Sequence, residues 1–452
     1  MIRMSKQKPR VCIIGAGPSG MSTIYQIKLL APGDIDFECY EKQKTWGGQW
    51  NYTWRTGADE YGEHIHCCMY RNLWAIGPKE CVEYIDYSFK EHFGKDLPSY
   101  LPRELYRRYL DGRMRRGKCG DLSDCVHFQH VVSSVEYRED TDDFVVWVRD
   151  LPGNKHYKEI FSHVIVASGT FSYPNMPDFP GIDTFPGRII HSHEFREAKE
   201  FINQTVLIIG GRFSASEIAV QLNKYGARYV ICSCKVPMNL NWPKGVEERP
   251  IVEEIKGNTV VFQDKTQHDV DAIIYCTGYR YNYPFLQGDL HFDIDGKTNL
   301  YPDNLYKGTL WMKGGNNKLF HMTAYEAYFE FGMFDAQAIW ILNYILGKLP
   351  AQRKEMEKNV EEWQRKLRDV KVPLDHLKFQ RDFYHDIGKD VNYPAEYIDK
   401  AYAILSKVFE ERQKDICTYK DMSFKSMYTG KLAPCHHTPW AECIDDTVDG
   451  YL

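Results

Sequence analysis

The chain has 452 residues, more than one ordinary domain of about 100–200 residues holds, so two or three domains are expected. With 43% hydrophobic and 26% charged residues the composition is globular, which sets aside disordered, collagenous and fibrous chains. The 57 basic residues against 62 acidic ones give a formal charge of −5, so no global positive field is available to hold a nucleic-acid backbone.

Positive charge over Met1–Arg10 resembles the start of a secretion signal, but the apolar run behind it, Val11 to Ile14, stops at Gly15. A signal needs a run about twice as long. The run reads instead as a strand, followed by Gly15-x-Gly17-x-x-Gly20, a helix-length segment from Met21 to Leu30, and a second strand, Phe37 to Tyr40, ending at Glu41. This order is a dinucleotide-binding βαβ opening: Gly15 permits the tight turn, Gly17 lets backbone approach a pyrophosphate, and Gly20 lets helix pack on strand. The helix N-terminus offers a positive end to phosphates, and Glu41 an acceptor for ribose hydroxyls. The same grammar recurs from Thr205: strand to Ile209, turn Gly210 to Ala215, helix Ser216 to Tyr225, strand Arg228 to Ser233. Here Arg212 takes the place of the middle glycine. Its cation either reaches a pyrophosphate or faces solvent beside a degenerate turn.

Two further apolar strands, Val164 to Gly169 and Ala272 to Gly278, bracket this second unit. Such a bracket is expected of an inserted domain, with the chain leaving the first domain near 170 and returning near 280. Pro174, Pro177 and Pro180 make the connecting segment Ser172 to Phe185 extended and stiff. The stretch Met333 to Leu346 contains Asp335, Gln337 and Asn343 and is too short to span a membrane, so it reads as a buried amphipathic helix. Arg353 to Val370 and Ala395 to Lys414 are further helix candidates. The 13 cysteines match no zinc or disulfide spacing, which predicts reduced thiols, a cytoplasmic location and no metal. No Cys-x-x-Cys follows the first turn, which disfavours a disulfide reductase.

Taken in order, Gly15-x-Gly17-x-x-Gly20, Glu41-x5-Gly47-Gly48-x-Trp50, Phe185-x-Gly187-x3-His191-x3-Phe195, Gly210 and Cys276-Thr277-Gly278-Tyr279 resemble the flavin-containing monooxygenase family. The stretches Trp46 to Gly57, Gly77-Pro78-Lys79-Glu80, Met333 to Ala338 and His436 to Trp440 are similar to its bacterial trimethylamine monooxygenase-like branch, and the likeness runs nearly end to end. The resemblance implies an α/β fold of two dinucleotide-binding, Rossmann-like domains. A larger FAD domain (1–170 and 281–452) would be interrupted by a smaller NADP domain (171–280). It implies an oxidoreductase in which NADPH reduces FAD, dioxygen adds at flavin C4a, and the hydroperoxide oxygenates a nucleophilic nitrogen or sulfur, an amine giving an N-oxide. Cofactor and dry pocket do the chemistry, so His191 is expected to pack rather than transfer protons. No nucleic acid or membrane partner is expected, and a homodimer is an expectation of the resemblance alone.

Carried over by similarity, the FAD set is Gly15, Gly17, Ser19, Gly20, Glu41, Gln43, Gln49, Trp50, His66 and Val132, with Trp74 toward the nicotinamide end. The NADP set is Gly210, Arg212, Phe213, Ser214, Lys235 and Lys420. Three departures stand out. Ile76 occupies the cofactor-contacting position where the family has an asparagine, and isoleucine donates no hydrogen bond. Asn72, four residues earlier, would share a face with it on a helix and is the catalytic candidate; the alternative is a surface or capping Asn. Cys234-Lys235 replaces an Arg-Thr pair for the ribose 2′-phosphate, leaving Lys235 as a point charge. The branch's Gln-Asp-Gln-Trp-Tyr-Ser-Phe-Asn reads Tyr325-Glu326-Ala327-Tyr328-Phe329-Glu330-Phe331-Gly332 here, which places Tyr325 at the start of a reshaped flavin pocket. Rival readings are an uncoupled NAD(P)H oxidase releasing peroxide, Baeyer-Villiger oxygenation of ketones, and a flavoprotein that binds without turnover.

Overall fold

The structure is a computed structural model that describes residues 8–292, 300–322, 324–443 and 450–451. Its first sheet is built outward from strand Arg10–Ile14, whose unbroken apolar run suits a parallel strand covered on both faces. Asp36–Glu41 and His163–Val166 flank it in parallel, and His127–Phe128 and Leu319–His321 extend the sheet on either side, also in parallel. Two short antiparallel strands, Leu310–Trp311 and Leu305–Tyr306, finish one edge. Helix α1 (Pro18–Leu30) begins three residues before the predicted Met21, because proline is tolerated in the first turn.

The short helix α2 (Phe89–Phe93) and α3 (Arg103–Arg116) follow. The sequence reading assigned no element to α3, although Leu105, Tyr106, Tyr109, Leu110 and Met114 form a buried stripe at helical spacing. An antiparallel sheet of His130–Arg138, Asp143–Asp150 and Lys155–Phe161 lies against the first sheet through Val132, Val146 and Phe161, in one cluster with Tyr40 and Ile14.

The second sheet is parallel throughout, in the order Val246–Arg249, Tyr229–Ser233, Thr205–Ile209, Ala272–Tyr275, Arg188–His191. Helix α4 (Phe213–Lys224) rises directly from its central turn, three residues before the predicted start. The chain passes between the two sheets twice, and the passing segments Tyr173–Pro174 and Tyr279–Arg280 pair with each other antiparallel.

Helix α5 (Glu330–Ile345) follows strand Leu319–His321 and packs on α1; it is buried nearly all round, from Phe331 through Ala338 and from Trp340 to Leu342. Helices α6 (Arg353–Leu367), α7 (Pro373–Asp390) and α8 (Ala395–Lys414) close the first core. α8 has the predicted bounds, whereas α6 stops three residues early and α7 was not foreseen. Its stripe of Leu377, Phe383, Tyr384 and Ile387 meets Tyr301, Tyr325 and Trp363. All the cysteines are free thiols. Among the described residues no helix is long and apolar enough to cross a membrane.

Candidate active site

The first crevice opens at the carboxyl end of strand Arg10–Ile14. Gly15 turns the chain with φ of 100°, and a Cβ on Gly20 would stand 2.0 Å from the Gly15 carbonyl oxygen, so helix and strand meet at a distance only glycine allows. Gly17 precedes α1, and no side chain caps the helix; its first N–H groups are left for an anionic ligand. Ser19, in that first turn, is 5% exposed. A second glycine turn leans on the first: at Gly48, φ 53°, a Cβ would lie 2.9 Å from the Gly17 Cα. Glu41 ties them, its carboxylate accepting from the N–H of Ala16 (2.7 Å) and of Gln43 (2.8 Å). Burial pushes this carboxyl above its ordinary range against those two bonds. The Gln43 amide reaches the Gly48 carbonyl at 3.4 Å.

Beyond the turn, Gln49 donates to the Phe171 carbonyl (3.0 Å) and accepts from the N–H of Cys68 (2.9 Å), so one amide joins three loops. Trp50 stacks on Tyr106 at 5.1 Å and meets the edge of Phe331 at 6.0 Å. The Tyr106 hydroxyl donates to Gly77 (3.4 Å), which places the Ile76–Gly77 segment beside the same aromatic wall. His66 lies against Gly169. Burial first, then the charges of Lys42, His193 and His64, hold its pKa down to about 3, so it is a neutral imidazole. Val132 is buried in the antiparallel sheet, in one cluster with Ile14 and Tyr40.

The second crevice repeats the first with changes. A Cβ on Gly210 would stand 2.3 Å from the Cys276 carbonyl oxygen, and Ala215, fully buried, replaces the third glycine. Arg212 stands at the head of α4 and pairs with Glu326 at 2.6 Å, its side chain 61% exposed. The Phe213 ring packs on Phe409 and Tyr328 under the Arg412 guanidinium. Ser214 and Lys235 are exposed. The remaining candidates lie elsewhere. Lys420 is wholly buried, paired with Glu217 of α4 and 3.5 Å from the Trp74 carbonyl oxygen, so it does not face open crevice. Trp74 is 2% exposed and meets His436 and Tyr451. Tyr325 is 1% exposed, its ring edge on Phe383 within the helical core.

Asn72 corrects the helical argument made for it. Residues 70–78 run through turns and not through a helix, so a spacing of four sets no common face with Ile76. Nor is Asn72 a surface residue: it is buried, its backbone carbonyl accepts from Gln221 of α4 (3.2 Å), and its Oδ1 has no partner among the described residues.

Several contributors lie outside the predicted site set. At the crossing, His64 stacks on His193 (5.1 Å), and His191 and His193 both meet Tyr279. His191, buried, accepts through Nδ1 from the His193 N–H (3.0 Å), a packing and capping role. Arg196 donates to the carbonyls of Arg55, Cys67, His193 and Phe195, locking the junction. Glu326 and Glu330 enter from the segment before and into α5. The departure of that segment from the family pattern was the one sequence signal pointing to them.

The chain belongs to the flavin-binding monooxygenase-like family, whose model matches residues 8–242 and 244–410. It is a flavin-dependent monooxygenase, an oxidoreductase, with FAD and NADPH as its cofactors. Within the family it is 42% identical to the trimethylamine monooxygenase of Methylocella silvestris over 98% of each chain, and 41% identical to that of Roseovarius nubinhibens over 98% of this chain and 99% of the other. The crystal structure of Tmm from Pelagibacter sp. strain HTCC7211 superposes with a TM-score of 0.91 at 37% identity, covering 98% of this chain and all of that one. The S-allyl-L-cysteine S-oxygenase of Allium sativum, at 24% identity and TM-score 0.79, shares the fold.

The residues present fit the cofactors. The uncapped head of α1 and the two abutting glycine turns leave a backbone cradle for a pyrophosphate, and Glu41 keeps lone pairs for ribose hydroxyls. The Gly210 turn does the same at α4, with Arg212 as an added cation.

Proposed function

We propose that the chain is an NADPH-dependent FAD monooxygenase that oxygenates the nucleophilic nitrogen or sulfur of a small molecule, a trimethylamine-like amine or a thioether. In this reading residues 1–170 and 281–452 bind FAD and residues 171–280 bind NADP. The observation that carries it is one segment touching both crevices. Glu326 holds Arg212 at the head of α4, and Phe331, five residues on, meets Trp50 in the first crevice. Hydride transfer between two cofactors needs such adjoining sites. The identity to trimethylamine monooxygenases over nearly the whole chain supports an amine as substrate.

FAD, once reduced by NADPH, supplies the activation of dioxygen. The protein's part is to bind, orient and exclude water. The head of α1 and Glu41 hold the nucleotide end of FAD, Gln49 fixes the loops around the crevice, and the buried wall of Trp50, Tyr106 and Phe331 keeps the reacting end dry. His66, neutral, takes no part as an acid near neutral pH.

A second reading is favoured by Ile76. Its side chain offers no donor where the family has an asparagine, which is what an enzyme that leaks peroxide would show. Parallel measurement of NADPH consumption and peroxide release, with trimethylamine, dimethyl sulfide or a ketone added, separates the two. The expected result is that the amine or the sulfide suppresses peroxide and is recovered carrying one oxygen. Peroxide equal to NADPH consumed under every condition would make the protein an oxidase, and ester formation from the ketone would make it a Baeyer-Villiger enzyme.

A further inference from the structure

Helix α4 is joined to the rest of the molecule by charge pairs of two unlike kinds. On its flank Glu217 meets Lys420 with both side chains buried, and the Tyr419 hydroxyl donates to the same carboxylate at 2.6 Å. At its head Arg212 meets Glu326 at 2.6 Å with the guanidinium largely exposed. The backbone that carries Glu326 is pinned: its carbonyl accepts from the side chain of Gln380 in α7, which is buried, and the Tyr328 N–H donates to the same amide at 2.7 Å. Arg212 is the N-cap residue of α4, in extended backbone with φ of −119°, and no side chain caps the helix. Its cation therefore belongs to the same helix end as the open N–H groups of the first turn. In a dinucleotide turn this middle position is the one whose backbone approaches the coenzyme diphosphate. Glu326 and a diphosphate are thus rivals for one guanidinium.

We propose that Glu326 is a competing anion that sets how tightly the coenzyme is held: in the free enzyme it pairs with Arg212, and NADP(H) displaces it so that the guanidinium passes to the coenzyme diphosphate. The inference rests on the assignment of the second crevice to NADP. An exposed ion pair contributes little against water and salt. A guanidinium beside a helix N-terminus meets two phosphate oxygens at once and gains more there, so the exchange runs toward the coenzyme. The displaced carboxylate is not stranded, because it lies partly exposed and water can solvate it. When the coenzyme leaves, Glu326 recaptures Arg212. The exchange thus lowers net affinity, and it does so mainly by hastening release. The pair of Glu217 and Lys420 takes no part, since separating two buried charges would leave each without a partner.

The test measures NADP+ affinity by calorimetry and its dissociation rate by stopped-flow flavin absorbance on the oxidised holoenzyme. Wild type is compared with Glu326→Gln, Arg212→Ser, Arg212→Lys and the double variant Glu326→Gln with Arg212→Ser, each checked for unchanged flavin content. Glu326→Gln is expected to bind NADP+ about two- to fivefold more tightly, mostly through slower release, and Arg212→Ser about tenfold more weakly. In the double variant the gain from Glu326→Gln should vanish, because no cation is left to be freed, and Arg212→Lys should keep part of the affinity. Adenosine 2′-monophosphate, which carries no diphosphate, should bind every variant alike. An equal gain from Glu326→Gln with and without Arg212 would reduce the carboxylate to a repulsive charge near the coenzyme, and weaker binding in Glu326→Gln would make the pair a brace for the site. Either result overturns the exchange, as does unchanged or tighter binding in Arg212→Ser. Failure of the wild-type holoenzyme to bind NADP+ would overturn the assignment of the coenzyme crevice itself, and the exchange with it.

Discussion

Glu41 shows how one side chain can serve fold and ligand together. Its two oxygens already satisfy the backbone N–H groups of Ala16 and Gln43, so the carboxylate holds the first glycine turn in the shape a pyrophosphate needs. Glu41→Gln places an amide N–H against one of those donors, at a cost of about 1.5–3 kcal/mol. FAD affinity is therefore expected to fall roughly ten- to hundredfold, as read by flavin fluorescence on dialysis. Ile76 makes the opposite case, a side chain that offers too little. Ile76→Asn restores a donor beside the Tyr106–Gly77 contact, and the peroxide share of NADPH turnover is expected to drop roughly fivefold, the value of about one hydrogen bond. An unchanged peroxide share would mean that the wall is already adequately closed without it.

At the scale of elements, the seam between α4 and the C-terminal segments holds the second sheet against the first core. Glu217 of α4 meets Lys420 with both side chains buried, the Tyr419 hydroxyl donates to the same carboxylate at 2.6 Å, and Lys224 donates to the Trp440 carbonyl at 2.6 Å. Removing one partner strands a buried charge. Glu217→Gln is expected to cost about 3 kcal/mol, whereas Glu217→Leu combined with Lys420→Met should recover most of the loss. Urea unfolding of the single and double variants checks this, and equal losses in both would show that the pair itself stabilises the seam. The sequence reading placed Lys420 by similarity with the NADP site. Its burial came from the pairing of residues two hundred positions apart, which no local pattern reveals.

At the scale of the whole molecule, acid sensitivity follows from histidines buried in the neutral form. Burial lowers His66 and His321 to about 3 and His163, His191 and His193 to about 4. Each binds its proton more readily when unfolded, so its contribution is full above the ordinary histidine range and is lost as pH falls from about 6.5 toward those values. Glu83 and Glu330, both raised to about 7, act in the opposite sense, since the folded state holds their protons between about 4.5 and 7. His92, His376 and His436 are lowered as well and Glu41, Asp335 and Asp421 raised, so eight histidines stand against five carboxyls among the described residues. The urea midpoint is therefore expected to fall between pH 7 and pH 5; a flat or rising midpoint would mean that the carboxyls prevail.

What the sequence by itself determined is what short-range chemistry encodes. The apolar strands, the glycine turns at Gly15 and Gly210, the helices rising from them and the acid at Glu41 all follow from spacings of a few residues, where sterics and periodicity act directly. Helix α8 was legible to its last residue for the same reason, while α3 and α7 went unread because dense charge masks their apolar stripes. Tertiary structure alone decided which side chains look into the crevices. It turned residues 70–78 away from a helix, buried Tyr325 and Lys420, and joined Arg212 to Glu326. These outcomes depend on contacts between distant segments, and their energies come from burial and pairing that exist only once the two sheets and the closing helices have met.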